Sequence, residues 1–508
     1  QRALWPSGRG KRKAILATDI AETSITIPDV LCVVDCGVAR VKHHSSLELV
    51  WISKANVVQR VGRAGRVQDG MCVHLFTQAR FQRLAKEPTP EMQRVSLEEV
   101  VLSVCDLGLD DTKDVLWTAG ADAGVCKFLA GAPDPPDEKA VAYAFFELQR
   151  IGALDDHGWI THLGALLARL PLPPALGSAF FLGGLLGAPE AASFVCSALS
   201  SREPWMRRGK DGEEQRAPAV DDFAKGADGR DIWSDAFTVA HALRLYETAR
   251  NGKNFCAGKG LILPVMQQMS SARWQLARTL QEFGCSPDAT GESEAGVGAE
   301  GDESSPTSPE RRRGAPRVVE RTLEESWPLM QTMLAFAFGW NLGVSEGGRR
   351  VQAGWRRSAR AARTSVLVDT DSRQPTLVVY EELVFGGGGR VLRGLTLVTG
   401  YQALLFGGRD GPQWEASDHG VLERWLRIPA RLPTMQALGT LRAVTRCALQ
   451  HAARLALERI GGQPAELRED ERLKEWRACL SDVANLPALA PRAPAPHTSW
   501  TALTRRPQ

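Results

Sequence analysis

The chain of 508 residues has no run of apolar residues approaching the ~18 to 20 that a bilayer-spanning helix requires. Its first residues, QRALWPSGRGKRKAI, also lack the apolar segment of a secretory signal peptide. Both absences argue against membrane insertion and against secretion.

The cysteines lack the spacing of a metal site or a redox motif. Ten are present, but they form no CxxC pair, which is typical of reduced thiols in a cytoplasmic or nuclear protein. The chain also lacks a large excess of either charge, because its formal net charge is only +3. A polyanionic partner must therefore be bound by local basic patches and not by a generally basic surface.

What is present is the composition of a soluble globular protein, with 44% hydrophobic and 24% charged residues. The length predicts three or four domains. Residues 286–316 contain only one aliphatic residue larger than alanine, Val297, so they cannot bury enough apolar area to offset the entropy of ordering. We interpret them as a disordered linker between two bodies.

The first body begins with strand patterns, AILAT, LCVVDCG and MCVHLF, and continues with helical ones. In SLEEVVLSVCDLG, Ser96 and Glu99 fit a capping box and Gly108 suits the C-terminal cap. The second body alternates apolar and polar residues over about five short strands, which predicts a small barrel. Residues 411–508 read as an amphipathic helix followed by a loose tail rich in proline and alanine.

Two polar segments stand out in the first body. The AETS segment, ATDIAETSITIPDV (17–30), places hydroxyl and carboxylate side chains immediately before a strand. The arginine segment, QRVGRAGR (59–66), repeats arginine every third residue, and its glycines allow close approach of the backbone to a ligand. This rhythm suits guanidinium groups aimed at phosphates. Taken singly, the first could be ordinary turn capping and the second a solvated charged face.

Together, and in this order, the two segments resemble motifs V and VI of the DEAH/RHA branch of superfamily-two helicases. The resemblance implies a multidomain protein with a partial α/β RecA-like domain, a winged helix, a mostly α ratchet domain and a β OB-fold. The expected boundaries are 1–80 for the RecA-like part, 81–155 for the winged helix, 156–285 for the ratchet, 286–317 for the linker, 318–410 for the OB-fold and 411–508 for the helical extension.

By this resemblance, the arginine segment serves ATP hydrolysis. Arg63 and Arg66 would stabilise the charge that develops on the transferred phosphoryl group, and Gln59 would orient the attacking water. Ser24 would face the nucleotide together with these three residues. ATP and Mg²⁺ are the implied cofactors, and the ligands of the metal are expected in an N-terminal part that precedes this sequence.

The AETS segment would contact RNA through its backbone phosphates, with Thr18, Asp19 and Thr26 facing the RNA. A carboxylate near phosphates repels them, so Glu22 is predicted to brace the backbone instead. Two departures from the family pattern weaken individual contacts. Asp19 replaces the more common asparagine, and Pro28 occupies the position of an aspartate that meets the ribose. The stretch between the segments should hold a short hairpin implicated in strand separation.

A phosphate-binding Walker A loop and the acidic pair that holds magnesium are both missing from the sequence. SGRGKRK at 7–13 has Arg12 where serine or threonine should follow the lysine. We therefore interpret the sequence as the C-terminal part of a longer helicase, which by itself should not hydrolyse ATP.

A further basic stretch, residues 347–363, holds six arginines around Trp355 and no acid. Arg356 and Arg357 could hold single-stranded RNA by phosphate contact and stacking, whereas a mobile surface insertion is the alternative. The functional hypothesis is an ATP-dependent RNA helicase of the cytoplasm or nucleus, with a possible protein activator at the OB-fold. The alternatives are a non-catalytic RNA-binding scaffold and a DNA helicase.

Overall fold

The structure of the protein is a computed structural model. It describes the following residues: 5, 12–23, 27, 29–43, 46–64, 69–108, 127–206, 220–226, 229, 231–285, 322–345, 348–353, 358–369, 376–386, 389–408, 413–414, 419–422, 426–463, 467 and 470–486. The predicted linker, 286–317, and the last 22 residues of the chain, 487–508, lie outside this set. No helix among the described residues is both long enough and apolar enough to cross a membrane.

The N-terminal part is an α/β arrangement. Its elements are α1 (Ile20–Thr23), β1 (Cys32–Asp35), β2 (Val38–His43), β3 (Ser46–Trp51), α2 (Lys54–Val61), β4 (Met71–His74) and α3 (Gln78–Arg83). Strands β1 and β4 pair in parallel, with Val34 opposite Val73, and β2 and β3 form an antiparallel hairpin. The hairpin predicted between the AETS and arginine segments is thus present.

A small core holds this part together, separate from the main core of the protein. It consists of the buried Ile52, Val57 and Leu84 with the flanking Phe76 and Phe81. Parallel strands are normally covered on both faces, yet Val34 is 62% exposed. The described residues therefore leave one face of the β1–β4 pair open.

A helical region follows. Its helices are α4 (Glu98–Asp106), α5 (Lys127–Ala130), α6 (Glu138–Arg150), α7 (His162–Leu167), α8 (Pro174–Leu185), α9 (Pro189–Leu199), α10 (Val220–Phe223), α11 (Asp235–Thr248), α12 (Gly252–Lys259) and α13 (Leu263–Glu282). The capping box predicted for α4 is wrong, because the N-cap is Leu97 and no side chain caps the helix. Leu97 is fully buried in the core, which fixes the start of the helix beyond Ser96. Gly108 follows the C-cap with φ +62°, as predicted.

The β-rich region begins with a buried helix, α14 (Trp327–Phe338), and contains a seven-stranded sheet. Its elements are β5 (Leu342–Ser345), β6 (Arg350–Gln352), β7 (Ser358–Ala361), β8 (Thr376–Val379), β9 (Glu382–Gly386), β10 (Gly389–Arg393), β11 (Thr396–Leu397) and α15 (Gly400–Phe406). The strand order is β11-β8-β5-β6-β7-β10-β9. The sheet is mixed, because β7 and β10 run parallel while the other neighbours are antiparallel.

The helical region and this sheet are joined at the start of α11. The Asp235 carboxylate accepts hydrogen bonds from the Ser365 hydroxyl and from the backbone N–H groups of Val366 and Leu395, each at 2.9 Å. The neighbouring Ser234 hydroxyl is 2.8 Å from that of Thr396. One helix N-terminus thus holds two separate loops of the sheet.

The C-terminal part differs from the prediction of a helix from residue 411. A small antiparallel sheet comes first, formed by β12 (Gln413–Trp414), β13 (His419–Leu422) and β14 (Leu426–Pro429). Two helices follow, α16 (Leu432–Ile460) and α17 (Glu471–Asn485). The long helix packs on α7, α15 and α17. The Gln450 side chain links it to the helical region, since its amide donates to the Gly152 carbonyl and its carbonyl accepts from the Leu163 N–H.

Candidate nucleotide and RNA site

Helix α2 carries the first half of the arginine segment. A full capping box starts it, in which the Ser53 hydroxyl accepts from the Asn56 N–H and the Asn56 side chain accepts from the Ser53 N–H. Gln59 lies on its last turn and is exposed, and Arg63 lies half-buried in the turn that continues it. Because residues four apart in a helical turn face the same side, the two side chains can reach one ligand. Arg66 lies outside the described residues.

Within the AETS segment, residues 18–23 form a single helical turn, called the AETS turn below. The carbonyls of Thr18 and Asp19 accept hydrogen bonds from the N–H groups of Ala21 and Glu22, at 3.1 and 2.8 Å. The side chains of Thr18 and Asp19 are both exposed, as contact with RNA requires. Ser24 and Thr26 lie outside the described residues.

Glu22 joins this turn to helix α2. It is only 6% exposed, and its carboxylate accepts from the Asn56 amide at 2.6 Å and from Arg60 Nε at 2.9 Å. Glu22 therefore holds two side chains of the neighbouring helix. The prediction that its carboxylate supports the backbone is wrong, because the partners of that carboxylate are side chains.

Arg60 has a second carboxylate partner. Its Nη1 donates to Asp35 Oδ1 at 2.9 Å, and the Asp35 side chain, at the end of β1, is fully buried. Asp35 also accepts from the Gly37 N–H at 2.9 Å and lies 3.3 Å from Nδ1 of His74 on β4. Burial acts to lower the pKa of Arg60, but the hydrogen bonds and charges of Glu22 and Asp35 outweigh it and raise that pKa above its ordinary value.

The arginines at positions 60 and 63, three residues apart, therefore lie in two different environments. Asn56 and Arg60 are four residues apart and face the buried carboxylates, whereas Gln59 and Arg63 occupy the adjacent stripe of the same helix. The i,i+4 spacing of Asn56 and Arg60 was visible in the sequence. Its partners were not, because Glu22 and Asp35 lie 38 and 25 residues away from Arg60.

Two parts of the basic stretch 347–363 belong to the large sheet. Its residues 350–352 and 358–361 are strands β6 and β7, in the middle of the strand order, so a surface insertion is wrong for them. Arg350 and Arg360 are direct cross-strand partners and both are exposed. Arg356 and Arg357 lie outside the described residues, between the two strands.

Metal-ligating side chains do not cluster in the described part of the chain. No group of three or more His, Cys, Asp or Glu residues within it is arranged to hold a metal ion. The cysteines among the described residues are free thiols.

Comparison with known proteins places the two segments in a recognised context. The family described as helicase conserved C-terminal domain matches residues 3–68. Bovine ATP-dependent DNA/RNA helicase DHX36 is 34% identical over 283 residues, which is 53% of this chain and 26% of that protein. Arabidopsis thaliana DExH-box ATP-dependent RNA helicase DExH3 is 34% identical over 282 residues, 54% of this chain and 22% of that protein.

A longer match extends beyond the first body of the chain. Arabidopsis thaliana DExH-box ATP-dependent RNA helicase DExH6 is 29% identical over 409 residues, covering 78% of this chain and 29% of that protein. The chain spans about a quarter of the length of these relatives. Its resemblance to the DExH-box helicases, predicted from the AETS and arginine segments, is thereby confirmed.

Proposed function

We propose that this chain is part of an ATP-dependent RNA helicase and provides one side of its nucleotide site together with contacts to RNA. One observation carries the proposal: Glu22 joins the AETS turn to helix α2 through hydrogen bonds to Asn56 and Arg60. The exposed Thr18 and Asp19 lie at this turn, and the exposed Gln59 lies on the helix. The family match over residues 3–68 supports the same reading.

The chemistry proposed for the arginine segment is stabilisation of charge. ATP with Mg²⁺ supplies the phosphoryl group, which develops negative charge as it is transferred. Arg63 would donate to its oxygens, and Gln59, on the same stripe, would orient the attacking water. Arg66 and Ser24 are proposed to complete this side of the site. The ligands of Mg²⁺ would come from the part of the helicase that carries the Walker A and acidic motifs.

RNA would bind along two surfaces. At the AETS turn, Thr18 would donate its hydroxyl to a phosphate, and Thr26 is proposed to do the same. Asp19 accepts but does not donate, so its contact with RNA would go to a 2′-hydroxyl and not to a phosphate. The second surface is the β6–β7 hairpin. Like charges directly opposite each other destabilise a strand pair, so Arg350 and Arg360 favour a polyanion across them.

Arg356 and Arg357, between these strands, would extend the second surface. Their proposed contact is with the phosphates of single-stranded RNA, where base stacking on Trp355 would add to the electrostatic attraction. The sheet that carries them, within residues 318–410, is proposed to be the OB-fold. A protein activator could bind this domain as well.

The remaining domains are assigned by their elements. Helices α4 and α6 pack together, and an antiparallel bridge joins Leu154 to Ile160 after them, which supports a winged helix over 81–155. Helices α7 to α13 support a ratchet domain over 156–285. The β2–β3 hairpin would separate strands, and the protein would act in the cytoplasm or nucleus.

The test is an ATPase assay on the full-length helicase, with and without single-stranded RNA. Arg63→Ala should lower kcat by about 10³-fold or more, because removal of an arginine finger costs that much. Arg83→Ala is the matched control, since Arg83 is an exposed arginine at the end of α3 outside both segments. Unchanged ATPase and unchanged cellular function in Arg63→Ala would instead support the scaffold alternative.

A DNA helicase is the second candidate, because the bovine relative is named a DNA/RNA helicase. Single-stranded RNA and DNA of one sequence distinguish the two. Stimulation of the ATPase by RNA alone indicates recognition of the 2′-hydroxyl, whereas equal stimulation indicates contacts to phosphates only.

A further inference from the structure

Arg60 is held by acceptors on three elements of the N-terminal part, α1, β1 and β2. Its guanidinium donates from Nε to Glu22, and from Nη1 to Asp35 and, at 3.4 Å, to the Val38 carbonyl. The side chains of Arg60, Glu22 and Asp35 are 14%, 6% and 0% exposed. A planar guanidinium with fixed N–H directions suits such a bridge, whereas a lysine ammonium is a single point charge that cannot span both carboxylates in the same way.

Moving Arg60 away would leave two buried carboxylates without their cation. Uncompensated buried charge is strongly destabilising. The other partners of this cluster are the neutral Asn56 amide, which serves Glu22, and, for Asp35, the neutral Gly37 N–H and the His74 imidazole 3.3 Å away; none of them carries the permanent charge of a guanidinium. Arg60 is therefore poorly suited to leave the cluster and bind a phosphate, although it lies between Gln59 and Arg63 in the sequence.

The bridge connects the two ligand-facing elements of the site. Glu22 is the third residue of α1, whose turn is closed by the carbonyls of Thr18 and Asp19. Arg60 lies one turn before Arg63, whose N–H bonds to the Arg60 carbonyl at 3.1 Å. Asp35 anchors the same guanidinium to the end of β1. A displacement of this helical turn would therefore act on α2 through the Glu22–Arg60 contact, one turn before Arg63.

We propose that Arg60 is a positioning residue that couples RNA at the AETS turn to the catalytic Arg63, and that Glu22 and Asp35 hold it in this role. The proposal rests on the proposed function, because it concerns the RNA-stimulated reaction. It assigns the three arginines of the segment two different roles: Arg63 and Arg66 act on the nucleotide, while Arg60 links the nucleotide side to the RNA side.

The experiment compares Glu22→Gln, Arg60→Lys and the double variant in the full-length helicase. We expect each single variant to lower the stimulation of kcat by RNA at least about fivefold, in the range of a typical coupling between sites. The KM for ATP should stay within about twofold, and the double variant should be no worse than the more affected single variant, since both disrupt one bridge. Arg83→Lys should change neither quantity.

Three results would overturn the proposal. One is a KM for ATP that rises in Arg60→Lys but not in Glu22→Gln, which would make Arg60 a phosphate ligand. Another is strict additivity of the two variants, which would separate their roles. The third is unchanged stimulation by RNA in both single variants. A purely structural role would lower basal and stimulated kcat in parallel and leave their ratio unchanged, so the ratio is the deciding quantity.

Hydrogen exchange separates this proposal from the proposed function. In the 508-residue chain, Arg60→Lys should speed exchange of the Ala21 and Glu22 amides, which close the AETS turn, and Arg83→Lys should not. If the wild-type helicase shows no RNA-stimulated ATPase, the proposed function fails, and faster exchange still demonstrates the link between turn and helix. Unchanged exchange would refute that link directly.

Discussion

Gly70 closely approaches Ala64 in the turn that follows helix α2, and this contact yields a testable prediction. A Cβ atom at position 70 would lie 2.4 Å from the Ala64 carbonyl oxygen, 2.8 Å from its carbon and 2.9 Å from the Ala64 Cβ. These are backbone atoms and a short side chain that cannot rotate away. Gly70→Ala must therefore push position 70 and the turn that contains Arg63 and Ala64 apart.

The size of the displacement follows from these distances. Ordinary contact of a Cβ atom begins at 3.4 Å, so the distance between position 70 and the Ala64 carbonyl has to widen by about 1 Å. Overpacking of this kind typically costs about 1–3 kcal/mol. At about 1.4 kcal/mol for each tenfold change in an equilibrium constant, the turn should open roughly 5- to 150-fold more often.

The assay is hydrogen exchange of the Gly62, Arg63 and Ala64 amides, which bond to the carbonyls of Val58, Arg60 and Val61. Their exchange should accelerate by that factor in Gly70→Ala. Gly62→Ala is the control, since its nearest neighbours would be at 3.4 and 3.5 Å and its φ of −62° suits any residue. We expect Gly62→Ala to leave exchange of the turn nearly unchanged.

The two variants also separate folding from function. A shift of about 1 Å in a catalytic group can cost about 100-fold in rate. Gly70→Ala should therefore lower the kcat of the RNA-stimulated ATPase, whereas Gly62→Ala should keep its fold but bind ATP more weakly if the glycine allows close approach to phosphates. Normal exchange and normal kcat in Gly70→Ala would refute the reasoning.

Three other predictions concern the rest of the protein. Gly439→Ala, in α16 with open space around its Cβ, should stabilise the fold by up to about 1 kcal/mol, measured by denaturant unfolding. Gln450→Ala should destabilise it by about 1–3 kcal/mol, because the Leu163 N–H loses its acceptor; an unchanged midpoint would contradict the bridge. Burial acts to raise the pKa of Glu324, but the hydrogen bond from its own backbone N–H and the charge of Arg244 lower that pKa below its ordinary value. The ionised Glu324 therefore stabilises the fold above pH ~4.5, and this stabilisation is lost as the pH falls through the folded pKa. Glu324→Gln should therefore lower the Tm at pH 7, and its difference from wild type should shrink as the pH falls through the folded pKa of Glu324.

The helices of the first body were predictable because their apolar residues recur with helical periodicity. In α6, the stripe of Val141, Ala144, Phe145 and Leu148 is buried as the spacing requires. Such a stripe needs only local information, since a helix satisfies its own backbone hydrogen bonds.

The strands between residues 413 and 429 were not predictable from local pattern. They are two to four residues long, and the buried Val421 and Leu422 are adjacent, so β13 lacks the alternation of apolar and polar residues that marks a half-buried strand. The sheet depends on distant partners: a Cβ at Gly420 would lie within 3 Å of Leu404 on α15 and of Met435 on α16. Tertiary packing therefore decides this structure.

The sequence indicated the two segments of the candidate site but not the contacts that connect them. The residue types of the two segments indicated phosphate and RNA chemistry, and the described Thr18, Asp19 and Gln59 are exposed. The buried cluster behind them joins three separate stretches of chain, and a sequence pattern carries no information about which carboxylate a given arginine meets. Long-range ion pairs of this kind require coordinates.

Helix α16 has a consequence for how the protein is made. It completes the packing around α7 and bonds through Gln450 to Gly152, 298 residues earlier in the chain. During synthesis, the ribosome releases α6 and α7 long before this partner exists, so the apolar surface that α16 will cover stays open while the residues between α7 and α16 are made. Folding of this region should therefore finish late, and the nascent chain is a natural client for chaperones that bind exposed apolar segments.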